Sequence, residues 1–258
     1  GRYWRIAQGL WEDYKDRLNQ ENISQSDACI KYWLCGILVQ VLGFRDVNAI
    51  SPIPLGDRVF PINYKTANGA VPLVLTTKDF DLDNSHQKFG DEGRRRPPHE
   101  LLQEYLNAED ACLWGMVSNG TKIRLLRDNP SLTRPAYIEA DLEQMFEEDL
   151  YSDFAVFWLT FHSSRLTPKD DKPTSCILEA WRSKAQEIGE RALKNLRLGV
   201  TEALRQLGDG FLQHPANQTL RSDLQEGSLA PLDYFQELLR LVYRFLFLLT
   251  AEERNLLF

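Results

Sequence analysis

Four residues, Ser118-Asn119-Gly120-Thr121, constrain the fold of this chain more than any other stretch. Asn and Gly both tolerate positive φ, as a two-residue type I′ hairpin turn requires. The flanking runs, Cys112–Val117 and Lys122–Arg127, are apolar and rich in β-formers. They are expected to pair antiparallel, which commits this part of the chain to a sheet.

Two more runs of the same kind, "RVFPINYK" and "AVPLVLTT", come before the hairpin with turn residues between them. Upstream, Tyr3 to Asn19 reads as an amphipathic helix, with Trp4, Leu10, Trp11, Tyr14 and Leu18 near one stripe. "SQSD" opens a second helix, apolar from Cys29 to Leu42 and stopped by Gly43. Between the second and third strand runs lies "FGDEGRRRPPHELLQEYLNAED". Its first half reads as a mobile loop, and Pro98 suits the first turn of a helix that "HELLQEYLN" continues. The order helix–helix–strand–strand–helix–strand–strand predicts an α/β domain with a small mixed sheet over 1–135.

Beyond "RDNPSLTRP" the pattern turns helical. "YIEADL" reads as a short strand leading to a helix N-cap at Asp141, with Glu143 in the first turn. Phe154, Phe157, Trp158 and Phe161 share one helix at core spacing, which points to packing rather than base stacking. "TPKDDKPT" is a linker by composition. A long helix is expected from Cys176 to Leu207, interrupted near Gly189 and Gly199 and broken by "LGDGFLQHPAN". A last helix begins at "PLDYF". Residues 136–258 therefore read as an all-α helical connector. The chain ends on "AEERNLLF" without a helix stop signal, so a longer polypeptide is expected.

Composition narrows the function. With 258 residues, 43% hydrophobic, the chain can bury a sizeable core. Its net charge of -7 argues against an autonomous, strongly basic nucleic-acid binder but leaves room for a local basic patch. Cys29, Cys35, Cys112 and Cys176 show no C-x-x-C pair, and the four histidines show no metal spacing. Reduced, buried cysteines in a cytoplasmic protein are expected. The charged N-terminal helix is not a secretory signal, and "LLRLVYRFLFLLTA" carries Arg240 and Arg244 and is too short for a bilayer. G-x-S-x-G, G-x-G-x-x-G and Walker A patterns are absent, as are F-x-G-x-G and N-P-P-[YF]. Neither a nucleophilic serine, a nucleotide cradle nor a methyl-transfer site is therefore expected in this segment.

One stretch resembles metal-nuclease chemistry. Nucleases of the PD-(D/E)XK type hold Mg²⁺ through an acid on one strand and a second acid on the next, with a lysine two residues after the second. "VLTTK" puts Lys78 at the lysine position but Thr76 where the second acid belongs. "FPINY" puts Asn63 near the first, with Asp57 in the "LGDR" turn as the alternative. A hydroxyl is a poor ligand for a hard cation beside a carboxylate. Asp79, Asp81, Asp83 and Glu12 are the acids that could restore a site. On these residues Lys78 is the catalytic candidate and no metal ligand set is assigned.

Basic residues supply the second candidate site. Arg94, Arg95 and Arg96 precede a helix and could contact phosphate, with Asp91 and Glu92 as acidic neighbours. Lys122, Arg124 and Arg127 could form one exposed face of the hairpin. These six are the DNA-binding candidates.

Four segments carry a family resemblance: "RRRPPHELLQEYLN", "LWGMVSNGTKIRLLRDNPSLTRPAYIEADLEQMFEEDLYSDFAVFWLTFHSSR", "GFLQHPANQTLR" and "YFQELLRLVYRFLFLLTAEER". Together, over about Leu42 to Phe258, they resemble the N-terminal part of type IIG-like restriction–modification polypeptides and adenine-specific DNA methylases of bacterial phage defence. "WGMVSNGTKIRLLRD" also resembles the N-terminal nuclease domain of type I restriction subunits. The resemblance implies a PD-(D/E)XK-like domain, a helical connector and, beyond it, a methyltransferase using S-adenosylmethionine. Mg²⁺ is implied for the parent if it cleaves. Lys78 matches the family's lysine, whereas Thr76 and Asn63 depart from its acids; Gln103 and Tyr105 resemble the helix that follows.

The reading is a restriction-nuclease-like α/β domain, degenerate at its acids, joined to a helical connector. It would engage DNA and scaffold an adenine methyltransferase, without methyl-transfer or nuclease chemistry of its own. Its expected partners are DNA, the methyltransferase domain of the same polypeptide and other defence proteins, with no membrane. Two alternatives stay open: an active Mg²⁺-dependent endonuclease, and a purely structural docking module.

Overall fold

The structure, a computed structural model, describes residues 1–90, 94–129 and 136–256. Asp91 and Glu92, expected beside the arginine triplet, lie outside the described residues, as does most of the "RDNPSLTRP" stretch. The chain forms two compact units, Gly1–Arg182 and Ser183–Phe258.

The first unit is α/β, built on a mixed six-stranded sheet in the order β1-β4-β5-β6-β7-β8. The strands are β1 (Asn48–Ala49), β4 (Tyr64–Thr66), β5 (Val71–Leu75), β6 (Trp114–Ser118), β7 (Lys122–Arg127) and β8 (Tyr137–Asp141). A separate two-stranded sheet pairs β2 (Ile53–Leu55) with β3 (Arg58–Phe60) across Gly56–Asp57, where Gly56 takes φ +60°. "RVFPINYK" is thus two strands in two sheets, divided at Pro61, which has no N–H to continue a ladder. β5 and β6 are parallel and are joined through α2 (Pro98–Ala108), which opens on Pro98 as expected.

Alternation along the strands sets the layers. Leu73, Leu75, Met116, Ile123 and Leu125 join one core with Trp4, Trp11, Tyr14 and Trp33. Val74, Val117 and Leu126 join the other with Leu101, Leu102, Tyr105 and Phe60. Helix α1 (Arg2–Leu18) contributes to the first core. So does the second helix, which is π-helical over Asp27–Leu34 and Ile37–Val41. There Cys35 N–H donates to the Ile30 carbonyl, five residues back, the π-helical spacing.

The hairpin forms, but not with the expected turn. Ser118 pairs with Ile123, and three residues, Asn119, Gly120 and Thr121, connect β6 to β7. Gly120 takes φ +91° while Asn119 stays outside the positive region. Asn119 Oδ1 instead accepts from the N–H groups of Thr121 and Lys122, an Asx turn. A Cβ on Gly120 would lie 2.4 Å from Cys29 Sγ, and its carbonyl accepts the Trp33 indole N–H at 2.7 Å. Both a left-handed conformation and close approach therefore require glycine here.

The expected division at 135/136 falls inside the first unit. β8 pairs with β7 along its length. Asp141 caps α3 (Leu142–Glu147), its side chain accepting from Gln144 N–H at 2.9 Å. Phe146 of α3 and Phe154, Phe157 and Phe161 of α4 (Tyr151–Phe161) complete the α1-side core, and Leu166 of α5 (Ser163–Leu166) joins them. The boundary moves to Arg182 because the sheet and this aromatic core need those elements.

Helix α6 (Ile177–Gln213) starts in the first unit and runs unbroken past Gly189, Gly199, Gly208 and Gly210. Each glycine costs about 1 kcal/mol against alanine but does not forbid helix, so the expected interruptions are absent. The second unit adds α7 (Gln218–Glu226) and α8 (Pro231–Glu253). Tyr234 OH donates to the Gly208 carbonyl at 2.9 Å, and Leu238 and Val242 are buried. Phe235, Tyr243, Phe247 and Leu249 of α8 are exposed. No helix among the described residues is long and apolar enough to cross a membrane.

Candidate functional site

Lys78 lies past the end of β5, in a turn, and its side chain is exposed without an ion pair among the described residues. The positions that would carry its partner acids are built into the fold. Asn63 Nδ2 donates to the Leu75 carbonyl at 2.7 Å, and its Oδ1 accepts the Leu75 N–H at 2.9 Å. The carboxamide acts as one more rung of the β4–β5 ladder. Thr76 is fully buried; its N–H donates to the Ser118 carbonyl, and its hydroxyl has no hydrogen-bond partner among the described residues.

The acids that could restore a site are dispersed. Asp57 is exposed in the β2–β3 turn. Asp79 accepts from Thr77 Oγ1, Asp81 accepts from the Asp83 N–H, and Glu12 pairs with Lys15. Asp83 pairs with Arg124 through both oxygens at 2.6 and 2.7 Å. Among the described residues no group of three or more His, Cys, Asp or Glu converges as metal ligands would.

Behind Thr76 the site is closed by Cys29, whose thiol donates to the Thr76 carbonyl at 3.4 Å. Burial pushes that thiol up to about 12, so it stays neutral. Burial likewise raises Tyr14, whose phenol lies beside Cys29. This region is a packed, uncharged floor.

The six expected DNA-contact residues separate into two groups. Arg124 is 4% exposed on the α2 side of the sheet, held by Asp83 and by Glu139 at 2.5 Å, with its guanidinium over the Tyr137 ring. Arg127 makes two 2.9 Å bonds to Glu179, and Lys122 lies 3.6 Å from Glu139. The hairpin cations are therefore internal or ion-paired and do not form an open basic face. The spacing of basic residues along the hairpin suggested a face but not the acids that β8 and α6 bring to it.

The arginine triplet also divides. Arg94 and Arg95 are exposed and make no ion pair among the described residues. Arg96 turns inward; its side chain is 7% exposed and pairs with Glu104 at 3.2 Å. Its backbone bridges to His86, so this half of the expected mobile loop is tied down, with Phe89 buried beside it. Arg58 pairs with the same Glu104 oxygen. Sequence reasoning missed Arg58, Glu104 and Asn107, because only the folded sheet carries β3 to α2. Gln103 is buried on α2, donating to the Arg127 carbonyl and to Asn107 Oδ1. The Tyr105 hydroxyl is buried beside Cys112.

A separate cleft of about 280 Å³ lies against β8 and α4, lined by Glu139, Asp141 and Asp153 among apolar residues. Its acids make it unsuited to phosphate. Comparison with protein-family models, with curated proteins and with solved structures finds no match to this chain.

Proposed function

We propose that this chain is a DNA-engaging scaffold segment of a bacterial restriction–modification or phage-defence DNA adenine methyltransferase. In this reading the first unit is a restriction-nuclease-like domain that has lost its cutting chemistry. The sequence resemblance supports the family, and the order of α1, β4, β5, α2 and β6 is compatible with such a domain. The observation that carries the scaffold reading over the nuclease reading is at Asn63. Both ends of its side chain are committed to the Leu75 backbone, beside a Thr76 enclosed away from solvent. Lys78 then lacks the acids that would make it a catalytic group.

Arg94 and Arg95 are the residues for contact with the DNA backbone in this reading, since among the described residues they alone of the six are exposed without an ion pair. The methyltransferase domain of the parent would bring S-adenosylmethionine, and a cytoplasmic location follows from the same reading.

DNA binding measured against salt tests it. Replacing Arg94 and Arg95 by alanine should weaken binding and lower the log–log salt slope by about 1–2, roughly 0.9 per lost phosphate contact. Unchanged affinity and slope would sink the DNA contact.

A docking reading has its own support in α8. Phe247 is 71% exposed and Tyr243, one turn before it, 61%. Apolar exposure of this kind marks an interaction surface. In the scaffold reading that surface serves the neighbouring methyltransferase domain. A chain that binds no DNA while associating with that domain would reduce the function to docking alone.

A further inference from the structure

Beside the C-terminal half of α2 lies an open pocket of about 430 Å³, lined by Arg58, Arg94, Arg96, Glu104, Asn107 and Ala108. Three guanidiniums share it with one carboxylate. Glu104 Oε2 serves both Arg58 and Arg96, the latter at 3.2 Å. Arg94 has no carboxylate partner among the described residues. Among the described residues two positive charges of the pocket are therefore unmatched, in a chain whose net charge is -7.

Arg96 is the telling residue. Its side chain is 7% exposed, and its one ion pair is to an oxygen that Arg58 also uses. A guanidinium carries five N–H donors, and a buried cation is costly unless it is well paired. Half of one carboxylate oxygen is a poor match for that demand. Asn107 adds a donor whose orientation is fixed. Its Oδ1 accepts from Gln103 Nε2 at 2.9 Å and from the Asn129 N–H at 3.0 Å. The amide cannot flip without losing both, so Nδ2 is left as a donor at the pocket wall.

We propose that this pocket binds a phosphate group, held by Arg58, Arg94 and Arg96 with Asn107 as a neutral donor. A tetrahedral oxyanion supplies the acceptors that Arg96 lacks, and its charge matches the excess. Arg58 and Arg94 close on it from the exposed side. Glu104 Oε2 bridges the Arg58 and Arg96 guanidiniums at the pocket wall. The pocket shares Arg94 with the DNA contact and rests on that reading only for the source of the phosphate, a nucleic-acid backbone or a free phosphate ester.

Titration of the 258-residue chain with inorganic phosphate, at ionic strength held constant with chloride, tests the site. Phosphorus NMR line width and thermal unfolding give two readouts. The expected result is a saturable response about tenfold weaker in Arg58→Gln and in Arg94→Ala, the loss of one charge-assisted contact. Both replaced side chains are at the surface, and circular dichroism checks that each variant folds. Displacement of bound phosphate by a short oligodeoxynucleotide assigns the ligand to the DNA backbone. Saturable phosphate binding that DNA does not displace assigns it to a free phosphate ester; either outcome supports the pocket. No saturable response in the wild type, or equal responses in the wild type and both variants, overturns it. If phosphate gives no saturable response and DNA binding still falls on replacing Arg94 and Arg95, the pocket fails while the backbone contact stands.

Discussion

The side chain of Asn63 bonds the backbone of Leu75 at both ends, donating at 2.7 Å and accepting at 2.9 Å. Aspartate cannot reproduce this, because a carboxylate has no donor for the Leu75 carbonyl. Asn63→Asp is expected to cost about 2 kcal/mol in urea denaturation, the cost of one lost bond and an unfavourable acceptor pair. It should confer no Mg²⁺-dependent cleavage, alone or with Thr76→Glu. Cleavage of plasmid by the double variant would show that the nuclease geometry is intact.

Thr76 offers the converse case. Its hydroxyl is buried and unpaired among the described residues, so it contributes a desolvation cost and no bond. Thr76→Val keeps the shape and removes that cost. A gain of about 1 kcal/mol is expected from the urea midpoint. A loss of similar size would mean that the hydroxyl has a partner in solution.

Gly120 is held by conformation and by contact together, at φ +91° and with Cys29 Sγ in the place of a Cβ. Gly120→Ala should destabilise by about 2–4 kcal/mol, combining backbone strain with overpacking. Cys29→Ala removes the sulfur but not the strain. The double variant should therefore recover part of the loss, and a double-mutant cycle reads the coupling. Strict additivity would refute the contact.

Arg124 links the β7–β8 pair to Asp83, and its loss is expected to be structural. Arg124→Gln should cost about 2–3 kcal/mol and leave the salt slope of DNA binding unchanged. Acid should act on the same cluster. The hydrogen bonds from Arg124 hold the Asp83 carboxyl below its usual range. Its stabilisation is present above the unfolded value, about 3.9, and lost as pH falls through the lower folded one. Burial first, and Arg124 second, depress His99. A histidine with a lowered value also favours the fold above its unfolded value, about 6.5, and that contribution disappears as pH drops below it. The two windows have the same sign. Urea midpoints should fall first below about pH 6.5 and again below about pH 4. In His99→Gln the first fall should shrink, what is left of it coming from His162, which burial lowers in the same direction.

Local signals carried far in this chain. Pro98 opened α2, Asp141 capped α3, and the Asn119–Gly120 hairpin paired its two strands. Each depends on residues within one turn of each other. What escaped was set by partners distant in sequence. The clustering of Lys122, Arg124 and Arg127 suggested one open face, while Asp83 and Glu179, 41 and 52 residues from Arg124 and Arg127, enclose or pair them. The phosphate pocket was invisible for the same reason, since Arg58 and Glu104 are 46 residues apart. The boundary near 135 followed a change in composition, but Phe146 and Phe154 are needed to cover Trp4. Asn63 and Thr76, compared in the sequence with an acid pair, bond the Leu75 backbone and lie buried at the end of β5.

The turn at Gly120 has a consequence for synthesis on the ribosome. Trp33 reaches it across 87 residues and Cys29 meets Asn119 across 90. At about 5–20 residues per second, the helices that carry them wait roughly 5–18 seconds for their sheet. Over that interval Trp4, Trp11, Tyr14 and Trp33 have no strands to cover them, and a nascent chain of this length is a target for chaperones. Stalled chains ending before Gly120 should lose their first 45 or so residues to protease, whereas chains extended past β8 should protect them.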